Sequence, residues 1–204
     1  MKTTIYLIRH GQTEWNLESR MQGHKNSPLT ELGIKQAEKL HHRLVNENFD
    51  LIYCSDSSRA QHTAEIIRGN ADTEINLNSA LIEINMGNFE GMKQSEIISK
   101  YPENWNNFWH DPASYIPSGN GEYYDDLKNR LIPAINEIIS SNIGKKIVIV
   151  THRIALKVIM AYFNGQSIND IAKNPDLKPA SLSKICIENN IPTVLMYGDT
   201  SHYN

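Results

Sequence analysis

Thr3-Thr4-Ile5-Tyr6-Leu7-Ile8-Arg9-His10-Gly11 decides how the rest of the chain is read. Its first part is β-branched, aromatic and aliphatic, the composition of a short strand. The run then stops at an arginine, a histidine and a glycine. An open α/β sheet presents its ligand site at the carboxyl ends of its strands, so a strand ending in such residues predicts a site.

Working outward, the same arrangement recurs. Leu51 to Cys54 reads as a second strand and runs into Ser55-Asp56, which can cap a helix carrying Ala60, Ala64 and Ile67 on one side. Ile147 to Val150 is a continuous apolar run, suited to a central strand buried on both faces, and it ends at Thr151-His152. Residues 74–77 look like a further short strand. Helical spacing links Ala37, Leu40, Leu44 and Val45 behind a Thr30 N-cap, and Leu127, Leu131, Ile135 and Ile138, where Pro133 should kink the helix or mark its first turn. A helix is expected over about 153–163. Residues 182–188 and 192–197 alternate around Asn189-Asn190, which predicts an antiparallel hairpin. The pattern predicts a three-layer α/β sandwich: a mostly parallel sheet, helices on both faces and an antiparallel hairpin at the C-terminal edge. A single domain over 1–204 is expected, with 101–121 as an irregular, lid-like excursion. That segment mixes Tyr101, Trp105, Phe108, Trp109 and Tyr115 with prolines and glycines.

Composition narrows the function. A net charge of -3 in 204 residues argues against a general nucleic-acid binder. No stretch approaches the about 20 apolar residues that span a bilayer, and no signal peptide opens the chain, so a cytoplasmic location is expected. Cys54 and Cys186 sit in apolar runs and read as buried reduced thiols. The chain carries no H-E-x-x-H and no G-x-x-x-x-G-K-[ST]. Neither cysteine opens a phosphate-cradling loop. No metal and no cofactor is expected, and a homodimer is left open.

The strand ends therefore bring Arg9, His10, Arg59 and His152 to one rim. Phosphoryl transfer spreads charge over three equatorial oxygens, which guanidinium forks match. Cations near His10 would favour its neutral ring, whose free lone pair is a competent nucleophile. Taken one at a time, each of these side chains has an ordinary solvated or core reading; their coincidence at strand ends is what points to a site.

Leu7 to Asn16 (LIRHGQTEWN), Met21-Gln22-Gly23, Pro28 to Gly33, Ser55 to Ala64 (SDSSRAQHTA), Glu83 to Gly91 (EINMGNFEG), Gly121-Glu122 and Val148 to His152 resemble the histidine phosphatase superfamily in its phosphoglycerate mutase-like branch. The resemblance implies a phosphomonoesterase of small metabolites with a phosphohistidine intermediate on His10. In it, Glu83 is the general acid and base, and Arg9, Arg59 and His152 surround the phosphoryl oxygens. Asn16, Gln22 and Gly23 contact or border the substrate. It implies a metal-independent hydrolase of the histidine acid phosphatase type. The short span from Glu83 to His152 favours a phosphatase; mutase activity and a non-catalytic phospholigand-binding domain are the alternatives. Arg153 stands where the family has glycine, and three outcomes are open. It strains or crowds the pocket, it selects a second anionic group on the substrate, or it opens a helix and faces solvent. Asn26 and His62 also depart from the family's pattern.

Overall fold

A computed structural model describes residues 1–203. Strands β1 (Lys2–Arg9), β2 (Leu51–Cys54), β3 (Ile75–Leu77), β4 (Lys146–Thr151), β5 (Leu182–Glu188) and β6 (Ile191–Asp199) form one sheet in the order β3-β2-β4-β1-β5-β6. The first four in that order pair in parallel, and β5 and β6 complete the sheet antiparallel to their neighbours. Helices α1 (Glu14–Leu17), α2 (Glu31–Leu44), α3 (Ser58–Arg68), α4 (Gln94–Lys100), α5 (Pro102–His110), α6 (Tyr124–Ser140) and α7 (Arg153–Phe163) connect the strands.

Residue alternation along β1 and β4 explains the three layers. Ile5, Leu7, Ile147 and Ile149 join one apolar cluster with the buried faces of α6 and α7. Tyr6, Ile8, Val148 and Val150 join a second with α2 and α3. Side chains alternate across a strand, so a continuous apolar run feeds both clusters, and each such side chain contributes about 1.5–3 kcal/mol on burial. Thr30 caps α2 as expected, its hydroxyl accepting from Gly33 N at 2.9 Å. Asn189 and Asn190 take φ of 52° and 63° in the β5–β6 turn, the left-handed pair a two-residue hairpin requires.

Four local expectations are corrected. Val45 is 57% exposed, because it lies one residue past the last turn of α2. The N-cap of α3 is Ser57, and Ser55 and Asp56 precede it. Pro133 does not mark the first turn of α6; it lies inside the helix, the place the other expectation gave it. The proline and Asn129, whose carbonyl loses its helical donor, are both on the exposed side, where water can replace the bond. The 101–121 segment is not irregular throughout. Pro102 opens α5, whose Phe108 packs with Tyr115 in the larger apolar cluster. Aromatic area outweighed the prolines and glycines there, because Pro at the first helical position costs no hydrogen bond.

Past their strand ends the chain segments stay stitched together. His10 N donates to Thr151 O at 3.0 Å, and Ser55 N donates to Val150 O at 3.0 Å. The loops after β1, β2 and β4 therefore meet at one rim.

Candidate active site

His10 lies one residue past β1 and is 3% exposed. Its Nδ1 is 2.8 Å from the Gly11 carbonyl oxygen. A carbonyl only accepts, so Nδ1 carries the ring proton and Nε2 keeps its lone pair. Arg59 Nε donates to that Nε2 at 3.3 Å, which requires the same tautomer. Burial, then the Arg59 and Arg9 guanidiniums, hold the ring's pKa well below the usual imidazole range, against the opposing pull of the Gly11 carbonyl. The ring is neutral at neutral pH.

The first turn of α3 delivers Arg59, which is 1% exposed. Its Nη1 donates to Lys25 O at 2.7 Å and Asn26 Oδ1 at 2.9 Å, and its Nη2 to Gly23 O at 2.8 Å. Gly23 has φ of 54°, and a Cβ there would stand 2.1 Å from Glu90 Oε1, so only glycine fits this turn. Arg9 donates from Nη1 to Leu177 O at 2.6 Å, while its Nε is buried without a partner. Burial brings each arginine's pKa down to about 10, helped in Arg9 by the charge of Arg153, so both stay cationic at neutral pH.

His152 is fully buried with its ring centroid 5.2 Å from that of His10. Its Nε2 lies 2.8 Å from Ser55 Oγ and 3.3 Å from Ser57 Oγ; its Nδ1 has no partner. Burial and then Arg59, His10 and Arg9 push its pKa well below the usual range.

Glu83 occupies the N-terminus of α7. Its Oε1 accepts from Ile84 N and Ala155 N, and its Oε2 from Ile154 N, each at 3.0 Å. A carboxylate offers about four lone-pair positions. Three are taken, and the free one is on Oε2. Arg130 of α6 fixes this loop from behind: it donates to the carbonyls of Ala80 and Ile82 at 2.9 Å and of Glu83 at 2.8 Å, and grips Glu122 through Nε at 2.7 Å and Nη2 at 2.9 Å.

Arg9, His10, Asn16, Gln22, Gly23, Arg59, Glu83 and Arg153 line one pocket together with Trp109 and Ile154. All the residues expected at the site from sequence meet there except His152, which packs beside His10 without lining the pocket. Asn16 closes the capping box of α1 with Thr13, and Gln22 Nε2 donates to Thr13 Oγ1 at 2.7 Å. Arg153 does not face open solvent. It lies 4.3 Å over the Trp109 ring, and its Nε donates to Asp176 Oδ1 at 2.7 Å. Its backbone is helical, so the strain a left-handed position would bring is absent. Among the described residues no group of three or more His, Cys, Asp or Glu is arranged to hold a metal ion, and no helix is long and apolar enough to cross a membrane.

Sequence reading gave no role to Arg130, Glu122 or Ser57, although Glu122 and Ser57 stand within the resembling stretches. Arg130 lies on a helix and Ser57 at a helix start, where arginine and serine are commonplace, and nothing local marks their partners.

Residues 5–200 match the histidine phosphatase superfamily (branch 1), and the chain belongs to that family. A solved structure of YhfR from Bacillus stearothermophilus superposes with a TM-score of 0.95 at 38% identity, covering 99% of this chain and 100% of that one. The chain is also 31% identical over 161 residues to the adenosylcobalamin/alpha-ribazole phosphatase of Escherichia coli, covering 79% of each. To a protein named probable phosphoglycerate mutase GpmB of Photorhabdus laumondii it is 34% identical over 183 residues, 89% of this chain and 83% of that protein.

Proposed function

We propose that this protein is a phosphatase that hydrolyses small phosphate monoesters through a phosphohistidine on His10. The observation that carries this reading is the His10 tautomer: Nδ1–H is held by Gly11 O, and Nε2, at a cationic pocket, is neutral and unprotonated. The phosphatase-named relative supports the reaction class.

In the first step the Nε2 lone pair attacks phosphorus. The N–P bond forms as the P–O bond to the alcohol breaks, and the leaving oxygen takes a proton from Glu83 at Oε2, where the free lone-pair position is. A water then attacks the phosphorus of phospho-His10 and gives its proton to Glu83. The N–P bond breaks, and inorganic phosphate leaves with the imidazole and the carboxylic acid restored. Arg9 and Arg59 neutralise the equatorial oxygens. Arg9 Nε is a buried donor without a protein partner on a side chain that lines the pocket, which suits contact with a phosphoryl group. Asn16, Gln22 and Gly23 border the substrate.

With guanidiniums carrying the charge stabilisation, we propose that the reaction needs no metal. Full turnover in EDTA is expected, and a loss restored by Mg²⁺ or Zn²⁺ would refute this. The two buried free thiols fit a reducing compartment, and we place the protein in the cytoplasm. The test of the core reading is a rapid acid or base quench after mixing with a labelled monoester. A base-stable, acid-labile label on His10 is expected; tight phosphate binding without any label would leave a binding domain instead. The mutase-named relative favours a second reading, in which phospho-His10 rephosphorylates bound product. Release of inorganic phosphate at the rate of substrate loss rejects it.

A further inference from the structure

Arg153 is held in place from several directions. Its backbone starts α7, where Glu83 binds the next two amides, Ile154 N and Ala155 N, at 3.0 Å. Its guanidinium stacks 4.3 Å over Trp109, and only Nε is spent, on Asp176 at 2.7 Å. Trp109 in turn is wedged edge-on against Phe108 at a centroid separation of 4.8 Å. Both Nη groups of Arg153 lack protein partners among the described residues, and the side chain, 30% exposed, lines the same pocket as His10. Arginine in general recognises oxyanions by presenting two parallel N–H groups, and a guanidinium already immobilised by stacking loses less entropy on binding.

We propose that Arg153, backed by Trp109 and Asp176, forms a second anion subsite in this pocket, and that the natural substrate is a phosphomonoester bearing a further anionic oxyacid group, a carboxylate or a second phosphate. Phosphoryl transfer occurs at His10, and the second anion docks on the Nη edge of Arg153. Glycine at this position, as in the family's pattern, has no side chain to make the subsite. The subsite rests on the phosphatase reading for its place in catalysis.

Matched substrates test it. 3-Phosphoglycerate and glycerol 3-phosphate differ by a carboxylate against a hydroxymethyl group; fructose 1,6-bisphosphate and fructose 6-phosphate differ by a phosphate. The dianionic-end member of at least one pair should win in kcat/KM by about tenfold or more, the scale of a charge-assisted hydrogen-bond pair. Arg153→Gln should collapse that ratio toward one, mainly through KM, whatever loss the two substrates share. Ratios near one in both pairs for the unmodified protein, or a ratio that survives Arg153→Gln, overturn the subsite. Calorimetric titration of the same ligands on the His10→Ala protein, with and without Arg153→Gln, needs no turnover. An Arg153-dependent anion preference there, where the unmodified protein hydrolyses no monoester, upholds the subsite and overturns the phosphatase reading alone. Equal affinities within both pairs overturn the subsite.

Discussion

Arg59 Nε points its N–H at Nε2 of His10 from 3.3 Å, while the rest of that guanidinium is bound to the carbonyls of Gly23 and Lys25 and to Asn26. One side chain thus holds the loop from Gly23 to Asn26, adds positive charge beside the imidazole and occupies its lone pair. Attack on phosphorus requires that weak contact to be exchanged for the N–P bond, and a long neutral-acceptor hydrogen bond is easily given up.

Replacing His10 by alanine removes the proposed nucleophile. Turnover of nitrophenyl phosphate should fall by at least about 10⁴-fold, and the quench label should vanish. Circular dichroism should show the secondary structure unchanged, since the ring's hydrogen bonds are made to Gly11 and Arg59 and not to the sheet.

Glu83 has two separable duties. Glu83→Gln keeps one acceptor oxygen, enough for two of the three amide donors, but cannot donate a carboxylic proton, so alkyl phosphates should lose about 10²-fold or more in kcat while nitrophenyl phosphate loses far less. Glu83→Ala strands all three amides, those of Ile84, Ile154 and Ala155. Urea unfolding should then report a stability loss of about 1–3 kcal/mol relative to Glu83→Gln. Equal losses on both substrate types would remove Glu83 from the leaving-group step.

In the proposed reaction Arg130 is a positioning residue: it touches the Glu83 carbonyl at 2.8 Å and does not line the pocket. Arg130→Met should depress kcat on alkyl phosphates more than on nitrophenyl phosphate, with KM little changed, and Arg130→Lys should restore part of the difference. A residue serving stability alone would lower the melting temperature without altering the dependence on the leaving group.

His10 and His152 both have pKa values depressed in the folded protein, chiefly by burial, and His202 is brought down to about 4 by burial and then Arg43. Below the ordinary imidazole value of about 6.5 the unfolded chain binds protons that the folded one does not. Stability is therefore fully present above about pH 6.5 and falls as pH drops toward the folded-state values, by up to about 1.4 kcal/mol per pH unit for each such histidine. Urea titrations between about pH 7.5 and 5 should show this slope, and it should be shallower in His10→Ala. An unchanged slope would mean that His10 is not held neutral.

Much of the fold was legible because it rests on local repetition. The β-branched run from Thr3 to Ile8, the continuous apolar run from Ile147 to Val150 and the helical spacing from Ala37 to Leu44 each need only neighbouring residues to be read. Val45 and the 101–121 segment were misread because burial of one side chain depends on what packs opposite it; no local period encodes that Phe108 meets Tyr115 at 4.9 Å.

The candidate site divides along the same line. The sequence determined which residues stand at strand ends, and so that Arg9, His10, Arg59 and His152 share a rim, because strand direction and side-chain type are both written in it. Tertiary structure alone decided that His10 bears its proton on Nδ1, that Glu83 caps α7 in front of Arg130, and that Arg153 stacks on Trp109 with its Nη edge free. Those are relations between groups far apart along the chain, set at ångström scale by packing of the helices on the sheet. A hydrogen bond or a proton's position responds to that distance, which no spacing along the chain specifies.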